Sequence, residues 1–284
     1  MAANHTMELV KTETERQPSQ PTPFQRISEE FQSLISRSAK LQLPDAPETC
    51  EFCKGFGTEI TELGARPCRC KRAQMRDRVI AQIPERNRIN GAPSLADLTP
   101  HLSREHEIQS EETQERILAW QGAMIRFAQA NPFQSLVLCG SNKIGKSHIA
   151  YAMFLNAFDH FRRVRCFNLK DLLIDYARSA RGEQQADGSA FVPRLTKSEL
   201  AAPEHRYTIL IDELHAPLPS LTEPQTVTVF ELLDAIKANR HQLIALSNYP
   251  MNALRNGFRK HDKYLGDSII SRLQEEAVQD EMFI

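Results

Sequence analysis

The chain has 284 residues, 41% hydrophobic and 25% charged, the balance of an ordinary soluble protein with room for one α/β domain and a smaller appendage. A net charge of −1 excludes a globally basic nucleic-acid-binding surface, so any such surface must be local. No apolar run approaches the length of a membrane span, and no charged-then-apolar signal segment opens the chain, so no membrane partner and a cytoplasmic location are expected.

Residues 1–25 are polar, carry Pro18, Pro21 and Pro23, and are expected to be disordered. From Ile27 to Arg37, apolar Ile27, Phe31, Leu34 and Ile35 recur at helical spacing. The short amphipathic helix they predict either packs on its own domain or docks in a partner's groove.

Cys50-Glu-Phe-Cys53 and Cys68-Arg-Cys70 form two cysteine pairs separated by a loop. Four thiolates on two short knuckles can meet at tetrahedral geometry, which a closed structural Zn²⁺ site requires. Gly55 and Gly57 allow the tight turn that points backbone N–H groups at the sulfurs. A disulfide does not suit the reducing cytoplasm, and four of the six cysteines fall within 21 residues, so chance clustering is a poor explanation. Cys139 and Cys166 lie in apolar runs and read as core residues.

Residues 66–88 hold eight Lys or Arg against Asp77 and Glu85, a run that is either a solvated helix face or a phosphate-contacting surface. Pro84 then breaks the helix. Residues 26–90 are therefore read as a zinc-binding, partner-docking module, and residues 91–284 as a second domain.

In that domain, Glu111–Ala130 reads as a helix buried through Ile117, Leu118, Met124, Ile125 and Phe127. The strand-length run Ser135–Cys139 leads into Gly140-Ser141-Asn142-Lys143-Ile144-Gly145-Lys146-Ser147-His148, and a helix-forming run continues to Phe158. This stretch matches G-x-x-x-x-G-K-[ST], in which backbone N–H groups curl around phosphate at a helix N-terminus. Lys146 is expected to reach the terminal phosphates of ATP, and the Ser147 hydroxyl to take one place on Mg²⁺.

Val164–Phe167 reads as a strand and Leu169–Arg178 as a helix, while the polar segment 181–203 is expected to be mobile. The β-branched run 207–211 ends in Asp212 and Glu213, as a buried parallel strand delivers carboxylates to a sheet edge. Asp212 would hold the Mg²⁺, and Glu213 would orient or deprotonate an attacking water. A helix over 223–239 and a strand over 243–247 follow, closed by Asn248, which could hydrogen-bond that water or the γ-phosphate. The β-α alternation implies an α/β fold, a parallel sheet with helices on both faces.

The runs GSNKIGKSHIAYA at 140–152, TILIDEL at 208–214, ALSNYP at 245–250 and LGDSIISRL at 265–273 carry a resemblance. Together with Ile83-Pro-Glu-Arg after the cysteine knuckle, the chain resembles the AAA+ ATPases of the bacterial helicase-loader group (DnaC/DnaI type) and the related IstB transposition ATPases. The resemblance spans roughly residues 50–275 and is dense only in the ATPase part. It implies a P-loop AAA+ domain with Lys146 and Ser147 as the nucleotide-binding pair, Asp212 and Glu213 as metal-binding and catalytic acids, and Asn248 as sensor. It also implies self-association, with Arg272 reaching a neighbouring subunit's γ-phosphate. Two positions depart from the family: Lys143 stands where a glycine is common, and Ser268 where some loaders carry a second arginine.

The resemblance implies an ATPase that loads a replicative DNA helicase on single-stranded DNA, docking the helicase through its N-terminal part. The zinc knuckle and the helix from Ile27 favour this reading. A transposition ATPase assembling on duplex DNA and a nucleotide-gated adaptor with incidental hydrolysis are the alternatives. The short stretch after Arg272 leaves little room for a separate C-terminal DNA-binding domain.

Overall fold

A computed structural model describes residues 50–53, 56–61, 64–81, 83, 94–201 and 206–283. The segment 1–25, the helix expected from Ile27 to Arg37 and the break expected at Pro84 lie outside the described residues. The chain divides into two compact units, residues 1–72 and 73–284.

In the first unit, β1 (Thr58–Thr61) and β2 (Gly64–Pro67) form an antiparallel hairpin in which Thr58 faces Pro67. The pairing draws together the residues that flank it: the Cys68 N–H donates to the Gly57 carbonyl at 2.9 Å. Gly57 has φ 67°, a left-handed conformation that glycine adopts without a Cβ penalty. Helix α1 (Arg69–Ala81) starts at once, so Cys70 sits in its first turn.

The second unit is built on five parallel strands: β3 (Ser135–Gly140), β4 (Arg163–Asn168), β5 (Tyr207–Asp212), β6 (Gln242–Ser247) and β7 (Ala277–Met282). Their order across the sheet is β4-β5-β6-β3-β7. The connecting helices are α2 (Glu111–Ala130), α3 (Lys146–Asp159), α4 (Leu169–Ala180), α5 (Lys197–Ala201), α6 (Glu223–Ala238), α7 (Met251–Phe258) and α8 (Lys263–Glu276). This is the expected P-loop α/β architecture, a parallel sheet flanked by helices.

Every residue of β3 and β6 is buried, which is why both read as continuous apolar runs. Alternate residues serve opposite layers. Leu136, Leu138, Ile244 and Leu246 pack with α2 and α3, while Val137, Cys139, Leu243 and Ala245 pack with α4, α6 and α8. Each fully buried Leu or Ile contributes roughly 1.5–3 kcal/mol of transfer free energy, so the two layers hold the sheet from both sides.

Four features differ from the expectations. Residues 277–282, which read as a short remainder, form edge strand β7 alongside β3, with Gly140 opposite Met282. The strand is polar (Gln279, Asp280, Glu281), so its sequence lacks the apolar signature of its neighbours. Trp120, absent from the expected α2 stripe, is buried and donates to Asp280 Oδ1 at 3.0 Å, tying α2 to that edge.

The expected mobile segment is instead tied down over its described residues 181–201. Gln184 bridges Ala190, Arg178 lies 4.0 Å above the Phe191 ring, and α5 closes the segment. The buried Asp175 carboxylate requires a counter-charge, and Arg194 Nε supplies it at 2.8 Å. Helix α7 was not expected either; it is a short amphipathic turn anchored through Met251, Leu254 and Phe258.

The meeting of β3 and β7 leaves no room for a side chain at Gly140. A Cβ there would fall on the Met282 carbonyl oxygen and 2.6 Å from the Ile144 Cδ1 methyl. Gly140→Ala should therefore destabilise the fold by about 1–3 kcal/mol through overpacking. A lowered urea midpoint with an unchanged slope is the expected reading; an unshifted midpoint would show that β7 yields freely.

Candidate nucleotide and metal sites

Strand β3 ends at Gly140, and the loop that follows delivers Lys146 to the first turn of α3. Gly145 precedes that turn at φ 98° with no side-chain cap, so the first N–H groups of α3 are left for an anion. Lys146 is 5% exposed, and its ammonium donates to the carbonyls of Gly140 (2.8 Å) and Ser141 (2.7 Å). Burial brings its pKa down to about 8, although Cys139 and Asp212 pull it upward.

Ile144 turns into the core, and its carbonyl accepts from Gln121 Nε2 at 2.9 Å. The same buried amide accepts from the His101 N–H (2.7 Å) and donates to the His101 carbonyl (2.9 Å), so α2 buttresses the loop and the segment over it. Lys143 adopts φ 65°, which costs a non-glycine residue about 1–2 kcal/mol. Here the Lys143 ammonium pairs with Glu105. The Asn142 carbonyl lies 3.3 Å from His106 Nε2. His148 meets the His101 ring edge-on at 5.1 Å, and burial followed by that neighbour lowers its pKa, favouring the neutral ring.

The strand order puts β6 between β3 and β5, so three strand ends open onto one place. Strand β5 delivers Asp212, whose oxygens accept from Tyr151 OH (3.2 Å) and the Glu213 N–H (2.9 Å). Glu213 follows at φ 53°, and its carboxylate accepts from the Asn168 amide. Asn168 also caps α4, its Oδ1 accepting from the Lys170 N–H at 2.9 Å, so the amide is held from both ends. The Asn248 N–H at the end of β6 donates to His215 Nδ1 at 3.2 Å. Burial lowers the His215 pKa, against the pull of Glu213, which keeps that nitrogen an acceptor.

A cavity of about 590 Å³ lies over these ends, lined by Lys146, Ser147, Asp212, Glu213, His215 and Asn248, with Asn142, Lys143, Gly145 and His148 on the loop side. Two of its lining residues, Ser103 and His148, have a buried polar atom (Oγ and Nδ1) without a hydrogen-bond partner in the described residues. A polar ligand would satisfy them, and the loop would take its anionic end.

Arg272 is elsewhere. It lies on α8, where its guanidinium donates to Asp234 Oδ1 at 2.9 and 2.6 Å and stacks 4.2 Å over the Phe230 ring. It does not line the cavity of its own chain. Conversely, His101, Ser103, Gln121, Asn168 and His215 belong to the site and were not singled out from the sequence. Gln121 had a legible signal, a polar residue centred in an apolar helical stripe. Asn168 had a weaker one, an Asn between strand and helix that reads simply as a cap.

The four knuckle cysteines converge as expected. Their sulfurs all lie within 4.8 Å of one another, with Cys50–Cys68 at 3.6 Å and Cys53–Cys70 at 3.4 Å. Zn–S bonds of about 2.3 Å in a tetrahedron separate sulfurs by roughly 3.8 Å, so the set fits a closed zinc site. Backbone N–H donation, first from Cys53, lowers the Cys50 thiol to about 6, so one thiolate is already favoured. Cys70 is pushed up to about 12, chiefly by sharing a proton with Cys53, a conflict that a divalent cation would resolve.

No family model matches the chain, and no curated protein sequence matches it. Among solved structures it is similar to DnaI, at 15% identity and a TM-score of 0.48, over 70% of this chain and 93% of that one. It is also similar to the DnaC helicase loader (18% identity, TM-score 0.46, 70% and 99% covered). AMPPCP-bound DnaA from Aquifex aeolicus is similar at 15% identity and a TM-score of 0.41, over 66% of this chain and 49% of that one.

The cysteine geometry predicts about one zinc per chain by elemental analysis. A Cys53→Ser/Cys68→Ser double variant should lose the metal while the residues of the second unit keep their hydrogen-exchange protection. A metal-free wild-type preparation with an intact β1–β2 hairpin would remove the assignment.

Proposed function

We propose that the chain is an ATP-dependent DNA-replication protein of the AAA+ helicase-loader kind, which hydrolyses ATP and acts on a replicative helicase at single-stranded DNA. The observation that carries this reading is the convergence of Lys146, Ser147, Asp212, Glu213 and Asn248 on one cavity beside an uncapped helix N-terminus. The zinc module and the chain before it are the part that docks the helicase, and the ATPase domains self-associate.

Ser147 and Asp212 are the residues that would hold Mg²⁺, which neutralises charge on transferred phosphate oxygens. Lys146 rests on two loop carbonyls, neutral acceptors that a terminal phosphate outcompetes. Glu213 is the base, and Asn168 is its positioning residue, steering the carboxylate. Neutral His215 fixes the backbone of Asn248, the side chain at the end of the middle strand. Arg272, bound to Asp234 within its own chain, serves a neighbouring protomer's nucleotide, so assembly is a condition for turnover.

Glu213→Gln should still bind ATP and lose about 10²-fold or more in turnover. In ATP it should also retain a replicative helicase in a pull-down that the wild type releases. Unchanged turnover would place the base elsewhere, and loss of hydrolysis with no helicase capture in any nucleotide state would refute the loader reading.

The Lys146 pKa gives a pH dependence of known sign. A bound phosphate raises the pKa from about 8, so binding takes up no proton below pH 8 and must take one up above it. ATP-analogue affinity should be flat below about pH 8 and fall up to about tenfold per unit above it. Lys146→Arg, protonated throughout, should bind more weakly without that fall; an identical fall in both proteins would assign it to another group.

A further inference from the structure

The cysteine module exposes two aromatic rings where a metal-bound knuckle has no structural use for them. Phe52, beside ligand Cys53, is 53% exposed, and Phe56, just beyond it, is 69% exposed. Burying either ring would stabilise the module, so their exposure is a cost that function must offset. The backbone beneath them is fixed. The Phe56 N–H donates to the Cys53 carbonyl at 2.8 Å, and Cys53 itself is buried.

The second knuckle contributes a cation to the same place. Arg69, between ligands Cys68 and Cys70, sets its guanidinium 4.5 Å from the Phe52 ring centroid. Each knuckle thus presents the residue beside its ligands outward, and the two stack on each other. Among the described side chains of the module, Arg69, Lys71 and Arg72 outnumber Glu51. Flat rings with a guanidinium among excess positive charge are the elements that hold unpaired bases and their phosphates. A duplex offers no free base faces to such rings, and an apolar protein groove gains nothing from the cations.

We propose that Phe52, Phe56 and Arg69 form a stacking face for single-stranded DNA on the zinc module, separate from any strand contact in the ATPase unit. The choice of DNA over RNA rests on the replication reading above; the stacking face itself does not. The rings stack successive bases on their open faces, and Arg69, lying over one face of Phe52, neutralises a phosphate.

The test titrates the full-length zinc-loaded protein, without nucleotide, against a short labelled deoxythymidine oligomer by fluorescence anisotropy. The Phe52→Ala/Phe56→Ala variant, checked for retained zinc, should bind more weakly by about 30-fold or more, the lower bound for losing two base–aromatic stacks. Phe52→Tyr keeps a π-face and should bind like the wild type, whereas Phe52→Leu keeps only apolar bulk and should not. Arg69→Gln should reduce the slope of log affinity against log salt by about 0.7. Wild-type affinity in the zinc-loaded double variant overturns the proposal, as does equal competition by duplex DNA. Tighter binding of a uridine oligomer overturns the choice of DNA. A double variant that binds the strand normally but no longer captures a helicase makes the face a protein-docking surface instead. Because no nucleotide is present, a failed ATPase leaves this result untouched.

Discussion

Strands β3 and β6 are buried on both faces along their whole length, and β5 nearly so, which leaves their polar chemistry a single outlet at their ends. Because all five strands run parallel, those outlets share one edge of the sheet. The order β5-β6-β3 then does the sorting: the acids, the Asn248 end and the phosphate loop arrive side by side although they are far apart in sequence. Core packing and site assembly are consequently one constraint. A register slip that moved Asp212 by one residue would also exchange the residues that β5 gives to the two layers.

The site concentrates backbone conformations that side chains disfavour. Lys143 and Glu213 both have positive φ, and both are held by partners outside their own loops, Glu105 and Asn168. Strain of this kind persists only where surrounding structure over-determines it. Gln121 supplies part of that determination by bonding three backbone groups at once. The loop is thus pre-shaped before any anion arrives, which lowers the ordering cost of binding.

Much of this was legible in the sequence because local pattern and chemistry coincide there. The apolar run into GSNKIGKSH and the run into Asp212-Glu213 each name a strand, its end and its role in a few residues. The four cysteines likewise announce their convergence by spacing. What escaped notice depends on long-range contact. Polar β7 is a strand only because β3 offers it an edge, and Gln121 matters only because a loop more than twenty residues away lies over it. Asn168 is indistinguishable from an ordinary helix cap until Glu213 arrives from another strand. Segment 181–201 looked loose because its anchors, Asp175 and Phe191, act singly and not as a period.

The pairing of β7 with β3 also reaches the phosphate loop itself. The Ser141 N–H donates to the Met282 carbonyl at 2.9 Å, so the first turn of the loop is stitched to residues made some 140 positions later. During synthesis the loop sequence leaves the ribosome long before its edge partner exists. A nascent chain carrying the whole motif would still lack this stitch until residues 277–282 had been translated. The same dependence makes this strand a place where a fused tag or a proteolytic nick would register some 140 positions earlier in the chain, in the shape of the loop after β3.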